Sequence, residues 1–315
     1  MASSKQRSKG IMAALSSAVF LGLAPVFGRM SILLGFAPLA VVAWRTALAT
    51  LLMFIILAVF RRQFLYIFPV GLIGCFLAGA INGFGSILYY LARGHLSASL
   101  GQLLYALYPL FVAVFTILDK QSVSRLTLIR VGIAGVAVFL LTSAGGIEAS
   151  WPSILMMIGS AVLYALHIPI NQRVLYEIPA PTVTLYTLLA MSLVTVPFYL
   201  LIDDRIPALG ISWWPLIFLT LVTFASRLTL FLGIKGIGGL QAAILGLAEL
   251  FITIVLAHFL LGEMLSWTQL LGAGILGLSL VMVALDKQDP QKRQHKGGWL
   301  AWIHPPEIKP GSLLD

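Results

Sequence analysis

Charged residues are scarce in this sequence, and their scarcity argues against a water-soluble domain. Only 10% of the 315 residues are Asp, Glu, Lys or Arg, whereas 60% are hydrophobic. The mean hydropathy of +1.00 is far above that of a typical soluble globular protein. Cysteine is almost absent as well, because Cys75 stands alone inside an apolar run. A single cysteine excludes an intramolecular disulfide and a cysteine-based metal cluster.

Motifs of soluble enzymes are also missing. The sequence contains no metal-ligand spacing, no nucleophile elbow, no phosphate-cradling loop and no paired catalytic carboxylates. The connections between apolar runs are too short to hold a soluble catalytic domain, and the lack of a Walker motif excludes self-contained ATP-driven pumping. We therefore expect neither enzyme activity nor a cofactor or bound metal.

Long apolar runs recur from Gly10 to Leu285, and runs of about eighteen residues or more can cross a bilayer. Lipid offers the backbone no hydrogen-bond partner, and these runs exceed a barrel strand, so each is expected to be helical. The sequence thus predicts an all-α polytopic membrane protein with ten transmembrane helices. The predicted spans are Gly10–Gly28, Leu39–Phe60, Tyr66–Leu91, Leu96–Leu118, Leu126–Ala144, Ile154–Arg173, Pro181–Ile202, Trp214–Ile234, Ile237–Leu261 and Trp267–Leu285.

The net charge of +9 could suggest nucleic-acid binding, but the placement of the basic residues argues otherwise. They lie mostly in short connections between apolar runs, where they orient a chain in the membrane. With the N-terminus inside, only Arg29, Arg93 and Arg205 fall on the outer side. We therefore expect a multi-pass protein of the cell (cytoplasmic) membrane, with both termini cytoplasmic and no nucleic-acid partner.

The ten predicted spans divide into two sets of five. The best pairing sets Leu96–Phe111 against Ile237–Ile252 and depends on position and small-residue pattern. An odd number of spans per set gives opposite orientations, which is the inverted-repeat arrangement of many secondary transporters. The predicted divisions are a first five-helix repeat over residues 1–145, a second over 151–286 and a cytoplasmic tail over 287–315. The tail is expected to be a disordered extension, with weak attachment to anionic headgroups as an alternative.

Four ionisable residues lie in the middle of predicted spans, where insertion costs roughly 2.5 to 3.5 kcal/mol for Arg or Asp. They are Arg45, His167, Arg227 and Glu249. Such residues usually mark a functional site, although they can also pair with one another to hold helices together. Prolines within the first, fourth, sixth and seventh spans mark places where helices can bend.

Three predicted helices also carry polar stripes at helical spacing, which indicates faces turned away from lipid. An interior cavity uses such stripes better than a dry core, because interhelical hydrogen bonds in membranes contribute only about 0.6 kcal/mol each. Tyrosine rings beside amide and charged groups suit a small amphipathic solute. The stripes are Asn82, Ser86, Tyr89 and Arg93 in the third span, Gln102, Tyr105 and Tyr108 in the fourth, and Ser160, Tyr164, His167 and Asn171 in the sixth.

The ionisable residues support three specific hypotheses. Glu249 is expected to pair with Arg227 in one state and to exchange that partner for a proton or a substrate amine in another. Arg45 can bind a substrate carboxylate with its planar fork, or pack beside Trp44 at the membrane interface. His167 can relay protons near neutral pH, or serve as a neutral hydrogen-bonded partner.

Several short motifs resemble those of the EamA-type carriers of the drug/metabolite transporter superfamily. Their order and spacing cover nearly the whole chain, from Gly10 to Leu285. Two positions depart from the family pattern: Leu118-Asp119-Lys120 replaces a Leu-Gly-Glu in the first half, and Leu250 replaces a common proline. The matching segments are Trp44-Arg45, Ala92 through Ser99, Tyr108-Pro109, Ala248-Glu249-Leu250, and Leu261-Gly262-Glu263-Met264-Leu265 followed by Leu271-Gly272.

This resemblance implies a secondary transporter of small metabolites, namely amino acids or related amphipathic solutes, which it exports by alternating access. An intramembrane lipid-modifying enzyme and a passive channel remain the alternatives. The expected partners are a small-molecule substrate and the lipid bilayer, with proton coupling or facilitated exchange both open, and with either a monomer or a homodimer. The predicted substrate-binding residues are Asn82, Tyr89, Gln102, Tyr105, Tyr108, Tyr164, His167, Arg227, Glu249 and Arg45.

Overall fold

A computed structural model describes most of the chain, and every regular element in the described part is helical. Helices are expected of these sequences because the apolar runs are long and rich in Leu, Ile, Val and Ala. The described residues are 2–93, 98–120, 123, 125–142, 150–203, 210, 212–261, 267–268, 271–272, 274–275, 278, 298–300 and 303.

Six helices are long and apolar enough to cross a membrane. They coincide with the first, second, third, sixth, seventh and eighth predicted spans, which confirms these six. Large apolar side chains such as Phe54, Leu155 and Ile217 are exposed on their outer faces, as lipid-facing surfaces require. These helices are α1 (Ala2–Leu33), α2 (Pro38–Phe60), α3 (Pro69–Arg93), α7 (Trp151–Glu177), α8 (Ala180–Ile202) and α9 (Trp214–Ile237).

The other helices are shorter, and they include a one-turn 3₁₀ helix at Arg62–Leu65 between α2 and α3. The fifth predicted span coincides with α6, whereas the tenth falls largely outside the described residues, so a total of ten spans stays a prediction. The shorter α-helices are α4 (Ala98–Tyr105), α5 (Tyr108–Leu118), α6 (Arg125–Thr142), α10 (Gly239–Gly246) and α11 (Ala248–Leu261).

The fourth and ninth predicted spans are not continuous helices, which corrects the prediction of single spans there. The fourth divides into α4 and α5, because Pro109 in the first turn of α5 lacks the N–H that would extend α4. The ninth divides at Leu247 into α10 and α11 without a proline. In the pairing of Leu96 with Ile237, both α4 and α10 begin and end at matching positions.

The helix contacts repeat when the first five spans are exchanged for the second five. Helix α1 packs on α9, and its counterpart α7 packs on α3. Helix α1 also contacts the broken pair α10 and α11, whereas α7 contacts the broken pair α4 and α5. Helices α2 and α8 pack against each other and occupy equivalent places. The two halves therefore interlock across one shared interface rather than forming separate bundles.

One end of the bundle, here called the tail end, is formed by the start of α1, the ends of α7 and α9, and the described tail residues 298–300 and 303. Gly10 in α1 touches Gly236 near the end of α9, where a Cβ on Gly10 would lie 2.8 Å from the Cα of Gly236. Lys235 Nζ donates to the carbonyl oxygen of Ile178 just beyond α7, at 3.2 Å. These contacts hold α1, α7 and α9 close together at the tail end.

Part of the C-terminal tail packs into the tail end. Leu300 is fully buried and Ile303 is 3% exposed, and both belong to the main apolar core. The expectation of a disordered extension is therefore wrong for these residues. The physical reason is that two apolar side chains of the tail gain burial among the helix ends, a contribution that composition alone does not show.

Candidate functional site

A cavity of about 60 Å³ lies among helices from both halves, and it is large enough for a few water molecules or a small polar group. Its wall combines cationic, acidic, amide, hydroxyl and aromatic groups. Helices α1, α2, α3, α4, α7, α9 and α11 all contribute. The lining residues are Leu21, Ala24, Pro25, Arg45, Ser86, Tyr89, Tyr90, Gln102, Tyr105, Ser160, Tyr164, Arg227 and Glu249.

Arg227 of α9 is buried at the cavity and is held by groups from α3 and α7. Because a guanidinium only donates, the amide oxygen of Asn82 faces it and accepts from Nη2 at 2.9 Å and from Nη1 at 3.2 Å. His167 Nε2 lies 3.4 Å from Arg227 Nη1. The guanidinium carbon also lies 5.5 Å from the ring centroid of Tyr164, in cation–π range. These three neighbours thus hold the Arg227 guanidinium in one orientation.

The geometry around His167 indicates its tautomer. Its Nδ1 contacts the carbonyl oxygen of Tyr164, one turn earlier in α7. A carbonyl only accepts, so Nδ1 carries the hydrogen, and Nε2 offers its lone pair to Arg227. This arrangement is that of a neutral histidine that positions Arg227, which is the second of the two roles expected from the sequence.

Glu249 stands in the first turn of α11 and is 3% exposed. An acidic residue is stabilised there by the unpaired N–H groups of the helix start. Gln102 Nε2 donates to Glu249 Oε1 at 3.5 Å, and Gln102 Oε1 accepts from the Tyr89 hydroxyl at 3.2 Å. A hydrogen-bonded chain therefore runs from α3 through α4 to α11, and it joins the two halves at the carboxylate.

Three tyrosines form an aromatic layer beside these charges. The ring centroids of Tyr105 and Tyr164 are 5.3 Å apart, and those of Tyr108 and Tyr164 are 4.9 Å apart in an edge-to-face pair. The Tyr108 hydroxyl donates to the carbonyl oxygen of Ala243 in α10 at 3.0 Å. Gly246 lies against the same hydroxyl, where a Cβ would collide with it. The two helix breaks therefore meet at Tyr108.

Arg45 of α2 lies on another part of the cavity wall. Its guanidinium carbon is 5.0 Å from the ring centroid of Tyr90, and Nη2 reaches Ser86 Oγ at 3.5 Å. Within the described part of the chain, Arg45 Nε has no hydrogen-bond partner although it is buried. Trp44 instead packs edge-to-face on Trp213, with centroids 5.5 Å apart. Arg45 thus faces the cavity with part of its donor capacity unused.

Seven of the ten residues predicted from sequence line this cavity, and the other three stand directly behind it. Asn82 and His167 hold Arg227, and Tyr108 packs on the tyrosines. In this conformation no ion pair joins Arg227 to Glu249 within the described residues, although both line the cavity. Their exchange of partners stays a hypothesis.

Sequence reasoning missed part of the wall. Helix α1 also lines the cavity, although none of the ten predicted substrate-binding residues lies on it. Helix α1 contributes only Leu21, Ala24 and Pro25, and of these only the proline gave any signal in the sequence. Tyr90 was missed because it stands one residue outside the polar stripe of α3.

Comparisons with known proteins agree with this geometry. The model of the EamA-like transporter family matches residues 8–143 and 151–285 of this sequence. Twenty-nine solved chains match significantly. One of them, described only as "Crystal structure of protein", aligns over 88% of this sequence and 97% of its own with a TM-score of 0.72. At 15% identity this likeness shows a shared fold alone. No curated protein sequence matches significantly.

Proposed function

Because the chain belongs to the EamA-like transporter family, within the drug/metabolite transporter superfamily, we propose that it is a secondary carrier that moves small metabolites by alternating access. The observation that carries this proposal is the meeting of two broken helices at a charged cavity. Broken helices at corresponding places of two repeats are the usual construction of a transporter binding site. Here α4 with α5 and α10 with α11 meet through Tyr108, Gln102 and Glu249.

The charges of the cavity support a substrate that carries both a carboxylate and an amine. Arg45 and Arg227 offer guanidinium groups that match a carboxylate, and Glu249 offers a carboxylate for an amine. The tyrosine layer gives an apolar surface for the rest of the solute. Amino acids and related amphipathic metabolites have this chemistry, and we propose export as the physiological direction.

The small size of the cavity supports a conformational cycle. Its volume of about 60 Å³ accommodates a few water molecules, so we expect the surrounding helices to move when a metabolite binds. The interlocked contacts of the two halves provide an interface on which one half rocks against the other. Ten spans arranged as two inverted five-helix repeats are part of this proposal.

The charge distribution supports an orientation in the cell membrane. Two described basic residues stand at the tail end: Lys235 near the end of α9, and Lys120 directly after Asp119, which binds the described tail residues. By the positive-inside rule we propose that this end, with both termini, faces the cytoplasm. Coupling to protons through Glu249 and facilitated exchange are the two energetic schemes that the cavity allows.

Solute flux into proteoliposomes tests the proposal. The purified protein is reconstituted, loaded with one unlabelled amino acid from a panel, and exposed to the labelled form outside. A carrier gives saturable uptake that accelerates when the same solute is present inside. Uptake that rises linearly with concentration, without acceleration, would instead show a channel, and chemical conversion of lipid or solute would show an enzyme.

Two matched pairs of variants locate the site. Glu249→Gln removes the cavity carboxylate, whereas Glu177→Gln removes the same charge from the exposed end of α7. Arg45→Lys removes the planar fork at the cavity, whereas Arg62→Lys makes the same change on the exposed 3₁₀ helix. We expect each cavity variant to lose at least about tenfold in transport efficiency, because a charged hydrogen bond is worth about 1.5 to 3 kcal/mol.

The pH dependence of Glu249→Gln separates the two energetic schemes. Proton-coupled exchange requires a group that binds and releases the proton, and an amide cannot do so. A variant that exchanges solute at equal rates across a range of pH, while the natural protein does not, would assign the coupling to Glu249. Equal pH profiles for both proteins would remove Glu249 from the coupling scheme.

A further inference from the structure

The described tail residues are seated on the bundle by a specific polar contact. Leu300 N–H donates to Asp119 Oδ1 at 3.2 Å, directly after α5 ends at Leu118. The other oxygen of the same carboxylate accepts from Arg173 Nη2 at 2.9 Å and from Nε at 3.1 Å. Both side chains of this ion pair are 0% exposed. The tail therefore docks on a buried charge pair that bridges α5 and α7.

The backbone of the tail is shaped for this seat. Gly298 has φ +106°, a conformation that L side chains rarely adopt. A Cβ on Gly298 would lie 2.5 Å from both the carbonyl oxygen and Oδ1 of Asp119. Glycine at 298 is thus required twice, by conformation and by close approach, which distinguishes this contact from incidental packing.

Apolar contacts extend the seat to a third helix. Ile303 is 3% exposed, and its Cγ2 lies 3.6 Å from the position of a Cβ on Gly74 in α3. Val174 of α7 contacts the same glycine. Trp299, directly before Leu300, is 43% exposed, so an exposed side chain stands next to a buried one in this segment.

The three bridged helices all carry residues of the candidate site. Helix α3 carries Asn82 and Tyr89, α7 carries Tyr164 and His167, and α5 begins with Tyr108. Helices α3 and α7 pack on each other and both line the cavity, so their separation at the tail end would open a path to it from that side. The tail segment contacts α3 through Ile303 and hydrogen-bonds to Asp119, whose carboxylate is paired with Arg173 of α7, so it ties these helices together at that end.

We propose that Gly298, Leu300 and Ile303 form a latch that keeps the tail end closed, and that this end opens only when the latch leaves Asp119. The gating role rests on the proposed carrier function, whereas the docking itself does not. Deletion or displacement of the latch shifts the population towards a conformation open at the tail end, because it removes contacts that exist only in the closed state.

Labelling of the single cysteine measures this opening without any transported solute. Cys75 follows Gly74 in α3, is fully buried, and belongs to the same apolar cluster as Leu300 and Ile303. The thiol lies beside Thr187 of α8, so its rate of reaction with a small maleimide in detergent reports how often α3 separates from its neighbouring helices near this end.

Two full-length variants release the latch by different means, and one serves as a matched control. Leu300→Asp places a carboxylate at a fully buried apolar position whose backbone N–H donates to Asp119, and Gly298→Ala disturbs the close backbone approach to Asp119. Trp299→Asp adds the same charge at the neighbouring exposed position. We expect the first two variants to label at least about tenfold faster than the natural protein, equivalent to 1.4 kcal/mol. Trp299→Asp should label at the natural rate.

Two outcomes would overturn the latch. Natural labelling rates in both Leu300→Asp and Gly298→Ala would show that the segment does not restrain α3. Equal acceleration in Trp299→Asp would show an effect independent of the buried positions. Thermal unfolding and gel filtration check each variant, and Gly298→Ala carries the test if Leu300→Asp does not fold. Failure of carrier function would appear as absent solute flux, which leaves the labelling result intact.

Discussion

The buried pair of Asp119 and Arg173 gives a prediction that can be worked through in numbers. Both side chains are fully buried, and the guanidinium donates twice to one carboxylate oxygen, at 2.9 and 3.1 Å. Replacing one member removes the ion pair and its hydrogen bonds from a charge that stays buried, which costs about 3 to 5 kcal/mol. We therefore expect Asp119→Leu and Arg173→Met each to lower the free energy of unfolding by this amount.

The double variant separates charge pairing from packing. Asp119→Leu with Arg173→Met removes both charges together, so its loss should be far smaller than the sum of the single losses. The lost acceptor for Leu300 N–H contributes about 1 kcal/mol of the remainder. The expected coupling energy is therefore several kcal/mol, measured by unfolding in mixed micelles of dodecyl maltoside and sodium dodecyl sulfate. Additive single losses would refute the assignment of this pair as a mutually dependent unit.

Two further predictions concern the cavity. Gly246→Ala should lower the free energy of unfolding by about 1 to 3 kcal/mol, because its Cβ collides with the Tyr108 hydroxyl. Adding Tyr108→Phe should recover part of that loss; thermal unfolding measures both variants, and no recovery would contradict the steric account. Asn82→Leu should raise the KM for solute by about tenfold, because the Arg227 guanidinium loses the amide oxygen that orients it. Initial rates of uptake give the KM of this variant and of the control Gln63→Leu at an exposed position, and equal KM values would remove Asn82 from the site.

The sequence was sufficient for the long helices because their apolar runs determine them directly. The predicted span Trp214–Ile234 and the observed α9 begin at the same residue. The breaks were harder to foresee. Pro109 indicated a bend in the fourth span, but the break at Leu247 depends on the hydroxyl of Tyr108, which comes from the other half of the chain. Such distant packing leaves no local pattern in the sequence.

The candidate site could be anticipated to a similar degree. Polar stripes at helical spacing identified α3, α4 and α7, because lipid excludes such faces. The apolar wall from α1 gave no comparable signal, since Leu21 and Ala24 are ordinary membrane residues. The docking of Leu300 was missed for the opposite reason: Lys, Pro and Gly around it are typical of disorder, and only the distant Asp119 supplies its partner.

The two helix breaks have a consequence for how this protein can vary. Helix ends carry unpaired backbone N–H and C=O groups with partial charges, and here α4 ends and α11 begins beside the cavity. That polarity belongs to the main chain and survives any exchange of side chains. Descendants of this sequence can therefore replace individual wall residues and so bind new solutes, while the backbone N–H and C=O groups at the helix ends remain available to a polar solute.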